Sequence, residues 1–495
     1  MKTQYKICFC LLLSVVSLSC SKWIDVKPTD RLGEDQLFVD PAGYTKAING
    51  VYVEMANKDL YGQEMTTGAV DVLAQYYVLT SSTHRYYDHT TFVYTSGKVK
   101  PTFEAAWKKA YELVANCNVI IEKCGDAPSQ KLPEPYYGVI KGEAIALRAF
   151  LHLDMLRLFG PIYTEANKTK PAIPYVSKIG FEVSPILSAE QVMKQITDDL
   201  KKALTLLENT DPIRTSGVRN GSNPSGPNDL YYRQYRLNYY ATKALLARAY
   251  LWQGDKVNAL IEAEALLSEV QGTKNVFPYV TSVGAIGTPA SGNIPAIPAD
   301  RLFTTEVMFA AYDINRFQMF DRQFNVNLDN NNKLSFSNGD SNEGRVNALY
   351  DDANDYRRRI WQNASSGTVT ALTNLKYADG ANVPSRFMLP LIRLSEVLLI
   401  AAECQPDLAT GITYLNKVRT SRNSLSLNPA TPAALQTAIM NEFRKETIGE
   451  GQQFYFYKRT AQQTIPNHAA VTGTKAMVLT NYVVPLPDSE ISQRK

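Results

Sequence analysis

The stretch ALLARAYLWQGDKVNALIEAEALL, residues 244–267, decides the fold class. Apolar residues recur at three- and four-residue spacing on both sides of Gly254-Asp255, which predicts two helices joined by a tight turn. Ala247 and Tyr250 lie upstream of that turn, and Ala259, Ala263 and Leu266 lie downstream. Small side chains at this spacing let two helix axes approach closely. The same rhythm extends over Leu237 to Gln253 and Lys256 to Val270. It recurs in Phe103 to Cys124, in Tyr136 to Phe159 with a stop at Gly160-Pro161, and in Ser188 to Leu207 behind a Ser cap. Leu389 to Cys404, Gly411 to Ser421 and Ala433 to Gly449 form a second helical block. The prediction is a mostly α protein.

Between the blocks the composition changes. Residues 217–229 (GVRNGSNPSGPND) read as loop, and residues 271–345 are rich in Gly, Pro and Asn. We expect helical blocks over about 40–270 and 385–460, with a loop-rich insert over about 271–385, all within one unit spanning 20–495. A rigid helical frame carrying large aromatic loops suits a binding surface. The 244–267 pair resembles a tetratricopeptide unit, although the other pairs share no clean period of about 34 residues.

The chain has 495 residues, 45% apolar and 10% aromatic, with 52 Lys+Arg against 48 Asp+Glu. This even balance gives no clustered basic face for nucleic acid, and the aromatic content argues against disorder. Residues 1–19 read as a signal peptide that is removed: Lys2 and Lys6 precede an apolar run, Ile7 to Val16, too short to span a bilayer. Ser17-Leu18-Ser19-Cys20 resembles a lipobox, with Cys20 as the lipidated first residue; a plain secretory leader is the alternative. An acyl chain would then be the sole membrane attachment. Cys117 and Cys124 are seven apart on one predicted helix, about 10.5 Å, beyond the reach of a disulfide. With Cys404 they read as buried thiols.

Catalytic signatures are absent: the sequence contains no G-x-S-x-G, H-E-x-x-H, C-x-x-C, P-loop or G-x-G-x-x-G. His84 and His89 share a loop without a third ligand, so no metal is expected. Asp329-Asn330-Asn331-Asn332 lacks the Gly and distal Glu of a calcium loop. The pairs Asp198-Asp199 and Asp351-Asp352 are adjacent residues that point apart. No cofactor and no enzymatic activity are expected.

Aromatic residues are the informative feature. Tyr outnumbers Phe, 29 to 18, and residues 76–94 (YYVLTSSTHRYYDHTTFVY) hold six aromatics in nineteen positions. Rings beside hydroxyl and carboxylate groups suit a sugar, which stacks its C–H face and hydrogen-bonds through its hydroxyls. Tyr76, Tyr77, Tyr86, Tyr87 and Asp88 are therefore candidate ligand contacts, with Phe317, Phe320 and Arg322 from the insert and Trp361 beside Arg357-Arg358-Arg359. Any single Tyr is as readily a ring packed beneath the loop. The three arginines are equally readable as a solvated helix face.

Several segments in order resemble the SusD/RagB family of outer-membrane lipoproteins. They are Cys20-Ser21-Lys22-Trp23-Ile24-Asp25; YYGVIKGEAIALRAFLHLDMLRLFGPI with Gly142-Glu143-Ala144 and Leu147-Arg148-Ala149-Phe150; the Gly254-Asp255 helix pair; RLSEVLLIAAE (Arg393 to Glu403) with LNKVRTSRN (Leu415 to Asn423); and FRKETIGEGQQFYFYKR (Phe443 to Arg459) with VVPLPDSEI (Val483 to Ile491). The resemblance implies tetratricopeptide-like units under a loop-rich ligand-binding part. It also implies a non-catalytic lipoprotein on the extracellular side of the outer membrane that captures glycans for a SusC-like TonB-dependent transporter. Oligopeptide capture and a protein-binding adaptor are the alternatives. Gly451 is followed here by Gln452-Gln453 and Phe454-Tyr455-Phe456-Tyr457, a departure that leaves the ligand type open. Glu143, Arg148, Glu396 and Arg444 fall in helices and are expected to pin them by ion pairs.

Overall fold

The computed structural model describes residues 34–494 apart from 181, 222–229, 273, 293–295, 337–343, 367–368, 381–382 and 384. Residues 1–19, expected to be a signal peptide, and Cys20 lie outside the described residues. The first helical block comprises α1 (Pro41–Met55), α2 (Lys100–Cys124), α3 (Tyr136–Phe159), α4 (Ala189–Leu207), α5 (Tyr239–Trp252) and α6 (Lys256–Gln271). Helix α3 has the predicted bounds and is apolar on every side. It is accordingly buried from Tyr137 to Phe159 except at Lys141, packed between α2 and α4. Gly142 permits that approach: a Cβ there would stand 2.8 Å from Leu207 of α4. Ser188 caps α4 in a capping box with Gln191.

The α5–α6 pair forms as the spacing predicts, with Ala247, Ala259, Ala263 and Leu266 buried and the turn made by Gly254 at φ +82°. The insert carries β1 (Val307–Tyr312), α7 (Arg316–Gln323) and the hairpin of β2 (Trp361–Ser366) and β3 (Val369–Asn374). After it come β4 (Met388–Arg393), α8 (Leu394–Cys404), α9 (Leu408–Ser421), α10 (Pro432–Glu446) and α11 (Gln453–Arg459). Strand β4 corrects the helix expected from Leu389. It pairs antiparallel with β1, Tyr312 opposite Met388 and Val307 opposite Arg393. An apolar run of this length satisfies either period, and the partner strand lies some eighty residues upstream.

Three of the four expected ion pairs form: Glu143 with Arg233, Arg148 with Asp199 at 2.8 Å, and Glu396 with Arg248 at 2.6 Å. Arg444 instead lies over the Tyr76 ring, 5.5 Å from its centroid. The solvated-face reading of Arg357-Arg358-Arg359 fails at Arg357. That residue is buried, and its guanidinium meets Asp355 at 2.5 Å, Glu442 at 2.6 Å and Glu446 at 2.8 Å. Glu446 also takes Arg422 and Arg393, while Arg422 reaches Glu306 at 2.7 Å. These guanidinium groups hold the Glu446 carboxyl well below the usual range. The network ties the insert (Glu306, Asp355, Arg357) to α9 and α10. Cys117, Cys124 and Cys404 are buried free thiols, each pushed up to about 12 by burial.

Candidate functional site

The tyrosine-rich segment 76–94 is not an open loop. Its backbone is laced to distant chain: Val78 N–H donates to Ser335 at 2.8 Å, Leu79 to His468 at 3.0 Å and Arg85 to Asn331 at 3.1 Å. Arg345 donates to the carbonyls of Gln75 and Tyr76 at 3.0 and 2.7 Å. Tyr76 and Tyr77 consequently turn inward and are at most 1% exposed. Tyr76 donates its hydroxyl to the Arg444 carbonyl at 2.7 Å, and Tyr77 donates to Asp71 at 3.2 Å. Asp71 also accepts the N–H groups of Gly449 and Gly451 at 2.6 and 3.0 Å. Burial outweighs these bonds and pushes its carboxyl up to about 7. Tyr86 is buried too, its hydroxyl on Glu64 at 2.9 Å. Trp361 stacks on Phe336 with ring centroids 3.7 Å apart.

Four of the rings singled out for ligand contact, Tyr76, Tyr77, Tyr86 and Trp361, are thus core. A tyrosine buries well when its hydroxyl finds an acceptor, and three of these do. The histidines serve the same packing. His84 accepts the Tyr86 N–H at Nδ1 (3.1 Å) and donates from Nε2 to the Lys333 carbonyl (3.2 Å), and burial pushes it down to about 4. Among the described residues no group of three His, Cys, Asp or Glu side chains could hold a metal ion.

Tyr87, Asp88, Phe317, Phe320 and Arg322 keep exposed surface. Tyr87 meets the His468 ring edge-on at 5.8 Å, and Asp88 accepts the Ser96 hydroxyl. Helix α7 does meet the 76–94 segment. Arg322 donates from Nε to Gln63 at 2.9 Å, its carbonyl accepts from Arg85 at 2.9 Å, and Gln63 reaches the Tyr86 hydroxyl at 3.3 Å. Burial of Arg316, Met319 and Gln323 leaves Phe317, Gln318 and Asp321 facing outward.

At the other end of α7 stands an aromatic cluster that the sequence reading missed. Tyr312, at the end of β1, is 46% exposed. Its ring lies 5.4 Å from Phe387, in the turn before β4, and 5.3 Å from Tyr235, centroid to centroid. Arg386 covers the Phe387 ring at 5.4 Å and grips Asp379 through two bonds of 2.6 and 2.7 Å. Burial pushes the Tyr235 hydroxyl up to about 12, so it stays protonated. Two flanking residues, Tyr232 and Ser385, sit at φ +55° and +52°, a left-handed conformation costing about 1–2 kcal/mol each. The buried Arg316 guanidinium holds the turn, donating to the Ser385 and Met388 carbonyls at 3.1 and 3.0 Å. Exposed Ile314 and Phe317 continue the surface onto α7, which is about 12 Å long. No sequence signal joins Tyr235, Tyr312 and Phe387, since each comes from a different segment.

A family model described as "Starch-binding associating with outer membrane" matches residues 22–215, and the SusD family model matches residues 381–494. The chain belongs to the SusD/RagB family. The solved structures agree on the SusD fold. A SusD-like carbohydrate binding protein from Bacteroides vulgatus is 19% identical, with a TM-score of 0.67 over 92% of this chain and 96% of its own. A SusD superfamily protein from Bacteroides thetaiotaomicron is 20% identical, with a TM-score of 0.66 over 92% of this chain and 98% of its own. Surface glycan-binding protein A from the same organism is 16% identical, with a TM-score of 0.59 over 92% and 98%. The curated SusD-like protein P38 of Formosa agariphila is 33% identical over 101 residues, 20% of this chain. That match spans 17% of P38's own length. SusD family members are non-catalytic binding proteins. Tyr235, Tyr312 and α7 lie between the two matched stretches, so the aromatic surface is largely built by chain outside them.

Proposed function

We propose that this SusD-family protein captures oligo- or polysaccharide on the surface formed by Tyr235, Tyr312 and Phe387 and extended along α7. The observation that carries the reading is the three-ring cluster, in which Tyr312 is exposed and Tyr235 and Phe387 are half-buried, framed by the Arg386–Asp379 pair and held by Arg316. Rings supply flat apolar faces, while the guanidinium, carboxylate and tyrosine hydroxyl supply hydrogen bonds. Phe317, Phe320 and Arg322 would extend contact along the helix, with Tyr87 and Asp88 as outlying contacts. Each contact is weak, and a repeating ligand multiplies them. The family description and the relatives named for carbohydrate or glycan binding support this ligand class.

Delivery to a SusC-like TonB-dependent transporter, and anchoring through lipidated Cys20 on the extracellular side of the outer membrane, complete the proposal. No helix among the described residues is long and apolar enough to cross a membrane. Cys20→Ala is therefore expected to move the protein from the membrane to the soluble fraction. The ligand class is tested by calorimetry of the mature chain against panels of polysaccharides, oligosaccharides and peptides. Saturable heat with one glycan class is the expected result. Heat from peptides alone would make the protein an oligopeptide-binding subunit, and silence throughout would leave the adaptor reading.

A further inference from the structure

A pocket of about 400 Å³ opens beside the turn Tyr356–Ile360, where that turn runs into β2 and meets the chain just after α9. Its volume lies within the roughly 300–1,000 Å³ typical of small-ligand sites. It shares no residue with the three-ring surface. The rings of Trp361, Phe336, Tyr77 and Phe324, each in contact with the next, link its wall to the C-terminal end of α7.

Polar side chains dominate the lining. Asn354, Gln362 and Asn423 are exposed and bring three side-chain amides, each able to donate and to accept. Tyr356 adds a half-buried ring with its hydroxyl, and Arg359 an exposed guanidinium. Among the described residues the Asn354 amide, the Tyr356 hydroxyl and the Arg359 guanidinium have no hydrogen-bond or ion-pair partner. The carboxylate on the lining, Asp355, is already engaged by Arg357 at 2.5 Å and by the Ser424 hydroxyl at 2.8 Å. A cation would therefore find no free carboxylate here. Hydroxyl groups both donate and accept, so they match this set, and the Tyr356 ring offers a face for C–H stacking.

The frame is held from behind. Tyr356 N–H donates to the Arg422 carbonyl at 2.9 Å, and Asn423 Nδ2 donates to the Asn354 carbonyl at 3.2 Å. Arg357 turns inward onto Glu442 and Glu446, which pins the turn that carries Tyr356 and Arg359. A preformed frame lowers the ordering cost of binding.

We infer that this pocket is a second glycan-binding site, taking a sugar unit or the end of a short oligosaccharide on Asn354, Tyr356, Arg359, Gln362 and Asn423. The inference rests on the glycan reading above and extends it, because one polysaccharide held at two separate sites binds more tightly than at either alone. Like the three-ring surface, the pocket is built mainly by chain between the two family-matched stretches.

Tetrasaccharide fragments of the polysaccharides in the calorimetric panel test this when titrated into the mature chain and into the double variant Asn354→Ala/Arg359→Ala. Both replaced residues are exposed, so the fold should survive, which a thermal melt checks. The unaltered chain is expected to bind two equivalents and the double variant one, the remaining equivalent weakening when Tyr312→Ala is added. With the full polysaccharide, the Kd of the double variant should rise at least about tenfold. A double variant that matches the unaltered chain in both stoichiometry and Kd would overturn the second site. Silence of the unaltered chain towards every glycan would instead overturn the glycan reading itself.

Discussion

Tyr312→Ala separates the two kinds of tyrosine in this chain. An aromatic side chain presents about 150–250 Å², and Tyr312 is 46% exposed, which leaves about 90 Å² for a ligand to cover. At ~25 cal/mol per Å², full coverage contributes about 2 kcal/mol and half coverage about 1 kcal/mol. Removing the ring should raise the glycan Kd about five- to thirtyfold. The contacts to Tyr235 and Phe387 are lost as well, at a cost of about 2 kcal/mol in stability by the same area argument. The matched control is Tyr76→Phe. It keeps the buried ring and removes only the hydroxyl that donates to the Arg444 carbonyl. Stability should fall by about 1 kcal/mol while affinity stays within twofold. Calorimetric titration with the best glycan of the panel, beside a thermal melt of each variant, reads both quantities. An unchanged Kd for Tyr312→Ala would remove the three-ring surface as the binding site. A tenfold affinity loss for Tyr76→Phe at an unchanged Tm would refute the assignment of the 76–94 tyrosines to the core.

Three further outcomes are expected. Gly451→Ala should cost about 3 kcal/mol or more, because φ is +66° and the new Cβ would stand 1.9 Å from the Met65 carbonyl oxygen; a chemical-denaturation midpoint reads this. Arg422→Gln leaves buried Glu306 and Glu446 short of a cation and should cost about 3–5 kcal/mol, part of it regained when Glu306→Gln is added. Stability should also fall on acidification from about pH 6.5. His84, His89 and His468 are held down to about 4 and His152 to about 3, so below their unfolded pKa the unfolded chain binds more protons. For His89 alone the loss approaches ~3 kcal/mol by pH 4. Asp71, raised to about 7, works in the opposite direction over about pH 4–7 and offsets one histidine. Melting curves that stay flat from pH 7 to 4.5 would contradict the buried-neutral assignment.

What the sequence determined by itself was local. Helix α3 could be bounded because twenty-four residues of apolar pattern and the Gly160-Pro161 stop act within a few turns. The Ser188 cap and the Gly254 turn rest on contacts between near neighbours in the chain. The ion pairs of Glu143, Arg148 and Glu396 were anticipated because a charge inside an apolar helix must be paired, although their partners could not be named. The abundance of tyrosine was legible; its orientation was not. Tyr76, Tyr77 and Tyr86 carry the same ring and hydroxyl as Tyr312. The first three are buried because Arg444, Asp71 and Glu64 present acceptors inside the fold and because Arg345 pulls the backbone beneath them. Tyr312 stays out because its strand ends at the surface. Strand β4 likewise became a strand rather than the start of α8 because β1 offered it hydrogen bonds. Arg357 left the surface because Glu442 and Glu446, on a helix eighty-odd residues later, supplied buried negative charge. Burial is a property of what arrives opposite a residue, and in this chain the decisive partners come from far along the sequence.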